Sequence, residues 1–351
     1  MMRIKRSDLE AAGAAGIIAE GQAAQLWAYL ESRENEVPAF RAAHILYYLG
    51  GLVAIGALTL FVTLAWDSWA GWPMFILALG FGVLGIALTE HFTGRHYTIP
   101  ASVMVTFAVA TVPLAVYSFQ HLLGFWPGAS HAADFHYYVD WRWIFMELAT
   151  LAAAAIALWH YRLPFTVLLV AATLWYLSMD LVPLIMGPRV FNENYYIEYD
   201  YLHKLISLWM GVGVILLAFW IDIRSGRKRD YAFWLYLAGV AAFWGGLTLM
   251  NSHSEFSKGM YCLINLVMLA VGAVLMRRVF AIFGGIGIAV YLGHLASLFK
   301  DSLLFPVALA FIGILIIFAG ILWQRHERRL HDTLTRFLPR PIQNLIAQIH
   351  A

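Results

Sequence analysis

The feature that most limits this chain is a recurrence. Ten apolar stretches, each long or nearly long enough to cross a bilayer, follow one another with short polar joints. A helix needs about 20 apolar residues to span the hydrocarbon core. The stretches run roughly 43–66, 70–89, 99–123, 143–159, 163–186, 205–221, 231–250, 260–276, 279–299 and 303–323. The fourth, sixth and eighth are short on a strict count. Trp141, Trp143, Trp159, Trp209 and Trp220 flank them and suit the interfacial belt, so they can still span. Backbone polar groups in hydrocarbon must satisfy one another, which leaves helices as the natural solution here. The expected fold is therefore all-α, a polytopic transmembrane bundle of about ten spans. Composition agrees: 62% of residues are hydrophobic and 13% are charged, where soluble domains run near about a quarter charged.

Charge placement sets the orientation. With the N-terminus inside, only Arg142, Arg189, Lys204, Lys258 and Lys300 of the 23 Lys and Arg residues fall outside. That bias is what the positive-inside rule expects for an even number of spans, so both ends are read as cytoplasmic. The reading depends on a turn at Arg277-Arg278. Without it the C-terminal arginines would change sides. The first span is read as an uncleaved signal anchor, because the polar residues ahead of it and its own length do not suit a cleavable leader. A net charge of +2 suggests no nucleic-acid partner. The single cysteine, Cys262, is read as a packed thiol.

Three regions follow. Residues 1–41 form a small cytoplasmic helical head, with a capping box at Ser7-Asp8-Leu9-Glu10, breakers at Gly13 and Gly16, and a second helix over 19–33. Residues 42–323 form the ten-helix membrane domain. Residues 324–351 form a basic amphipathic tail on the cytoplasmic side, in which Ile342, Leu345, Ile346 and Ile349 share a face. The tail either lies on anionic lipid or packs under the bundle. Gly50-Gly51, Gly80 to Gly85, Gly245-Gly246 and Gly284-Gly285-Ile286-Gly287 are read as places where helices pack closely. Ten spans could also hold two inverted five-span halves, for which His44 and His203 are a faint signal.

Three short segments carry a family resemblance. They are the run Ala12 to Ala23 in the head, Leu64-Ala65-Trp66-Asp67-Ser68 at the end of the first span, and Gln120-His121-Leu122-Leu123-Gly124 at the end of the third. Together they resemble the domain of unknown function 2157 family of bacterial inner-membrane proteins, over about the first third of the chain. The resemblance implies a multi-pass protein of the bacterial cytoplasmic membrane. It implies no catalytic residues.

The candidate functional residues form a layer near the outer ends of the spans: Glu147, Asp180, His294, His121, Gln120 and Asn265. Each lies about one to two turns inward. Ionisable groups inside spans are costly and tend to face a cavity; the alternative is that they snorkel or pair structurally. Stretches four and five are joined by a short turn, so they run antiparallel side by side. Glu147 and Asp180 then fall at matching depth, able to share a proton or bind a cation, with His294 or His121 as another source of positive charge. On this basis Glu147→Gln should fold and Glu147→Leu should not. His131, Asp134 and His136 in the outer loop are weak candidates for a divalent metal, because their spacing matches no standard site. No cofactor is otherwise called for. The acidic, aromatic run from Phe191 to Tyr201 is read as an outer loop with an interfacial tyrosine belt, or as a surface for a sugar or cation.

The leading function is transporter- or channel-like, with a polar cavity opening to the outer face. A membrane-embedded enzyme acting on a lipid-linked substrate, with His294 or His121 as general base, is an alternative. A scaffold or sensor that engages other copies or cytoplasmic partners is another. The inner half is nearly all apolar, which weighs against a complete pathway. The balance leans away from an enzyme.

Overall fold

The computed structural model describes residues 6–19, 21–34, 42–65, 71–126, 141–186, 193–225, 231–250 and 254–298, with 307, 310, 313, 314 and 318. Among them there is no strand, and thirteen helices follow in order. They are α1 (Arg6–Ala14), α2 (Gln22–Glu34), α3 (Ala42–Ala65), α4 (Trp72–Gly94), α5 (Thr98–Ala110), α6 (Val112–Leu122) and α7 (Trp141–Tyr161). Then come α8 (Thr166–Met179), α9 (Leu181–Met186), α10 (Glu193–Ser225), α11 (Tyr231–Leu249), α12 (Glu255–Val274) and α13 (Arg278–Leu298). Among the described residues eight stretches are long and apolar enough to cross a membrane: α4, α5 with α6, α7, α8 into Pro183, α10 from Ile197, α11, α12 and α13. The first apolar stretch is the 24-residue α3. The tenth, 303–323, and the tail lie outside the continuously described residues.

Three expected lengths change. The stretches that looked short become helices of 21, 33 and 20 residues, namely α7, α10 and α12. From Glu193 on, the acidic, aromatic run expected as a loop forms the first turns of α10 instead. Asp200 and Lys204 pair across one turn of it, and Tyr199 packs on Val182. Ion pairs at this spacing support a helix where hydropathy alone gives no signal.

Two long stretches are each broken by a proline. Pro113 and Pro183 have no N–H to give the carbonyls of Val109 and Met179 four residues earlier, and their rings crowd those carbonyls. Helix α5 stops at Ala110, and α8 stops at Met179, which leaves Asp180 in the gap before α9.

Three turns end in a left-handed residue that is not glycine: His96 (φ 60), Arg162 (φ 55) and Met276 (φ 53). At the last, Arg277 N–H donates to Gly272 O at 3.0 Å and Met276 N–H to Ala273 O at 3.4 Å, the paired bonds that close a helix C-terminus. The Arg277-Arg278 turn therefore exists. In the head, α1 already includes Arg6, so Ser7 lies inside its first turn rather than ahead of it. Gly16 (φ 72) and Gly21 (φ 88) form the break before α2, where Gln22 Oε1 accepts the Ala19 N–H at 3.1 Å.

The described residues fall into two compact units. The first holds those within 1–123 and 153–166. Its centre is α5, whose Ala101, Val103, Val105, Ala108 and Val109 are buried. Gly51 faces Val103, and Gly85 faces Ala108 and the Met104 carbonyl. Ser102 Oγ accepts the Phe165 N–H at 3.1 Å, and the Thr106 and Thr166 hydroxyls lie 3.1 Å apart. The second unit holds the described residues within 124–152, 167–226 and 231–351. Its core joins Ala171, Val214, Ala218, Tyr236, Val240, Met268 and Phe280.

Glycines seam the second unit. Gly211 of α10 and Gly239 of α11 lie backbone to backbone, and Gly246 lies on the Lys204 carbonyl and Leu208. Gly284 and Gly287 of α13 lie against Asn265 and Met268 of α12. Their chain neighbours Gly245 and Gly285 face open space, as do Gly50 and Gly80 in the first unit. Of two adjacent glycines, one thus makes the close approach and the other does not, because adjacent helical positions point about 100° apart.

Candidate functional site

The second unit carries two polar groupings. The larger surrounds a groove of about 500 Å³ where α11 ends and α12 begins. Tyr201 of α10, Thr248 of α11, Ser257, Lys258 and Tyr261 of α12, and Tyr291 and His294 of α13 contribute its polar side chains. Phe256, Met260, Ile264 and Val290 contribute its apolar wall. Glu255 ties its rim together. It accepts Lys258 Nζ at 2.7 Å, and its other oxygen lies 3.1 Å from His294 Nε2. An acidic group in the first turn of α12 also suits the positive end of that helix. Glu255 is 60% exposed at the side chain, so these ion pairs organise the rim more than they stabilise the fold.

Below the rim, the Thr248 and Tyr261 hydroxyls lie 3.0 Å apart. Asn265 Nδ2 donates to the Tyr261 carbonyl at 2.8 Å. Asn265 is fully buried, its Oδ1 has no hydrogen-bond partner, and it fits against the bare face of Gly287. A side chain at 287 would displace it. The groove therefore has charged and hydroxyl groups at its mouth and an amide behind them. That arrangement can hold a small molecule with a polar head and an apolar body.

The second grouping is Glu147 of α7 with Tyr176 of α8 and Asp180 in the α8–α9 break. Glu147 is 7% exposed, and neither carboxylate oxygen has a hydrogen-bond partner. Asp180 acts on it electrostatically, and both carboxylates act on Tyr176. His294 is engaged elsewhere, on Glu255. Gln120 and His121 lie near the end of α6 in the first unit, where Gln120 is buried and the His121 ring is tilted against Tyr117. His131, Asp134 and His136 lie outside the described residues. Among the described residues no group of three or more His, Cys, Asp or Glu side chains gathers. Cys262 is half-buried on α12.

The sequence reading missed Glu255 and Lys258, because both precede the apolar window that began at 260. The available signal was an acid opening a helix with a lysine three residues on.

At the opposite end of the second unit, Arg277 donates from both Nε and a terminal nitrogen to the Asp222 carboxylate, with the Nε bond at 3.1 Å. Its guanidinium also lies 5.6 Å from the centre of the Tyr236 ring. Bidentate geometry with a ring behind it is a favourable setting for a largely buried pair.

The fold defines a class: an all-helical, multi-pass integral membrane protein. No family model, curated protein or solved structure matches the chain.

Proposed function

We propose that the chain is a transporter- or channel-like membrane protein whose groove between α10, α11, α12 and α13 opens to the outer face. The groove itself carries this reading: about 500 Å³ lined by Lys258, His294, Thr248 and Tyr261 at one end of four helices. Ten spans with both termini cytoplasmic, a bacterial cytoplasmic membrane, and membership of the domain of unknown function 2157 family belong to the same proposal. So does the division into a head (1–41), a membrane domain (42–323) and a tail (324–351) that rests on anionic lipid or packs under the bundle. The tail's basic residues and apolar stripe support the lipid contact.

Ser257 is exposed on the groove wall and tests the reading. In a Cys262→Ser background, Ser257→Cys should react with a membrane-impermeant maleimide added to intact cells. A solute from a chemically varied panel should block that reaction and should accumulate in proteoliposomes that hold the protein. Labelling only in inverted vesicles would overturn the orientation. A groove that no solute protects, with no uptake, would overturn the transporter reading.

The His294–Glu255 contact favours one second reading, an enzyme acting on a lipid-linked substrate. A histidine oriented by a carboxylate can serve as a general base. Turnover of such a substrate, lost in His294→Ala without loss of maleimide access, would select it.

A further inference from the structure

Glu147 is the least compensated polar group among the described residues. Burying a carboxylate without hydrogen bonds is costly, and in hydrocarbon no water offsets that cost. Both of its oxygens are buried and unpartnered, although the residue stands on a membrane-crossing helix. A structural role does not explain it, since nothing is held by those oxygens. A ligand does.

The surroundings point to the kind of ligand. Asp180 lies within electrostatic reach, as does Tyr176 one helical turn before it. Asp180 occupies the interruption between α8 and α9. Pro183 has no N–H for the Met179 carbonyl, so the backbone oxygen at the end of α8, next to Asp180, lacks its usual helical donor. Carboxylate, phenol and released carbonyl oxygens at an interrupted spanning helix are the setting in which small cations bind.

Charge narrows the choice. The cost of taking an ion out of water rises with the square of its charge, which disfavours a divalent ion here. Asp180 makes a further interaction of its own, with its Oδ2 left without a hydrogen bond, whereas Glu147 has both oxygens left so. We propose that Glu147, with Asp180, Tyr176 and the Met179 carbonyl oxygen that Pro183 releases, forms a binding site for a small monovalent cation, a sodium ion or a proton. Among the described residues Asp180 is the charged group that acts on Glu147. The site deepens the transporter reading by supplying a coupling ion. It uses no groove residue, so binding here stands even if the groove carries nothing.

A hydrophobic carbodiimide tests it on the purified full-length chain in detergent, because that reagent modifies a protonated carboxyl in an apolar setting. Mass spectrometry should find the adduct on Glu147 in choline buffer, and Glu147→Gln should lose it. If sodium ion is the ligand, labelling should fall about tenfold at saturating Na⁺, and Na⁺ should raise the Tm of the wild type but not of Glu147→Gln. If the ligand is a proton, labelling should rise as pH falls and ignore Na⁺. Either result supports the site and names its ion. Three results would overturn it: no adduct on Glu147 at any pH in a chain that remains folded, protection by Ca²⁺ or Mg²⁺ but not by Na⁺, or an equal Na⁺-dependent Tm shift in Glu147→Gln.

Discussion

Glu147 shows how a single residue can change the sign of an expectation. From the sequence, Glu147→Leu should fail to fold, because a carboxyl inside a span ought to be held by partners. The structure gives its oxygens no hydrogen bond. Replacing an orphaned buried polar group with an apolar one of similar size removes a cost of about 1–3 kcal/mol. We therefore expect Glu147→Leu to melt at or above the wild-type temperature in detergent while losing carbodiimide reactivity and ion protection. A Tm well below the wild type would mean that the carboxylate has a structural partner. The depths of Glu147 and Asp180 follow from residue counting from the ends of their helices. The ion pairs of Glu255 were not legible in the sequence, since hydropathy windows discard the polar residues that open a span. Met276 makes a second residue-scale case. It sits at φ 53, where a side chain strains the backbone and glycine does not. Met276→Gly should raise stability by about 0.5–1 kcal/mol, read as an upward shift in Tm. An unchanged or lower Tm would mean that the Met276 side chain contributes more than its turn costs.

At the scale of elements, glycine runs mark helix seams, but the sequence does not say which member of each run lies in the seam. Phase decides it. Gly246 faces the Lys204 carbonyl and Leu208, while Gly245 faces open space. Gly246→Ala should then cost about 1–3 kcal/mol by forcing α10 and α11 apart, and Gly245→Ala should be nearly silent. Equal effects on thermal unfolding would argue against the crossing described for these two helices. The Arg277–Asp222 pair fixes the α12–α13 turn to α10 in the same unit. Removing one partner strands the other, so Asp222→Ala should cost about 3 kcal/mol. Arg277→Met combined with Asp222→Leu should recover much of that loss. A double-mutant cycle without coupling would show that the two groups do not act together. The proline breaks at Thr111 and Asp180 could have been read from Pro113 and Pro183. Two long apolar runs conceal them, because hydropathy ignores the missing N–H.

For the whole molecule, the apolar recurrence made the helical, membrane-crossing class legible, since length and hydropathy alone set which segments can span. Packing was not legible, because lipid-facing and protein-facing residues are equally apolar. For the proposed even number of spans, a fluorescent reporter fused after Ala351 should be active in the cytoplasm and an alkaline phosphatase fusion there should be silent. Phosphatase activity would place that end outside and remove one span. The length of α10 has a consequence of another kind. Its 33 residues reach about 50 Å, against about 30 Å for the 20 of α12. Gly211 and Gly239 bind α10 closely to α11, so α10 cannot lean over to hide the excess without dragging its neighbour. The excess should then stand clear at the Glu193 end, where Glu198 and Asp200 are exposed. A thickening bilayer would have to swallow those carboxylates. They act as a stop that caps the hydrocarbon thickness this protein tolerates, and they would keep it out of the thickest membranes.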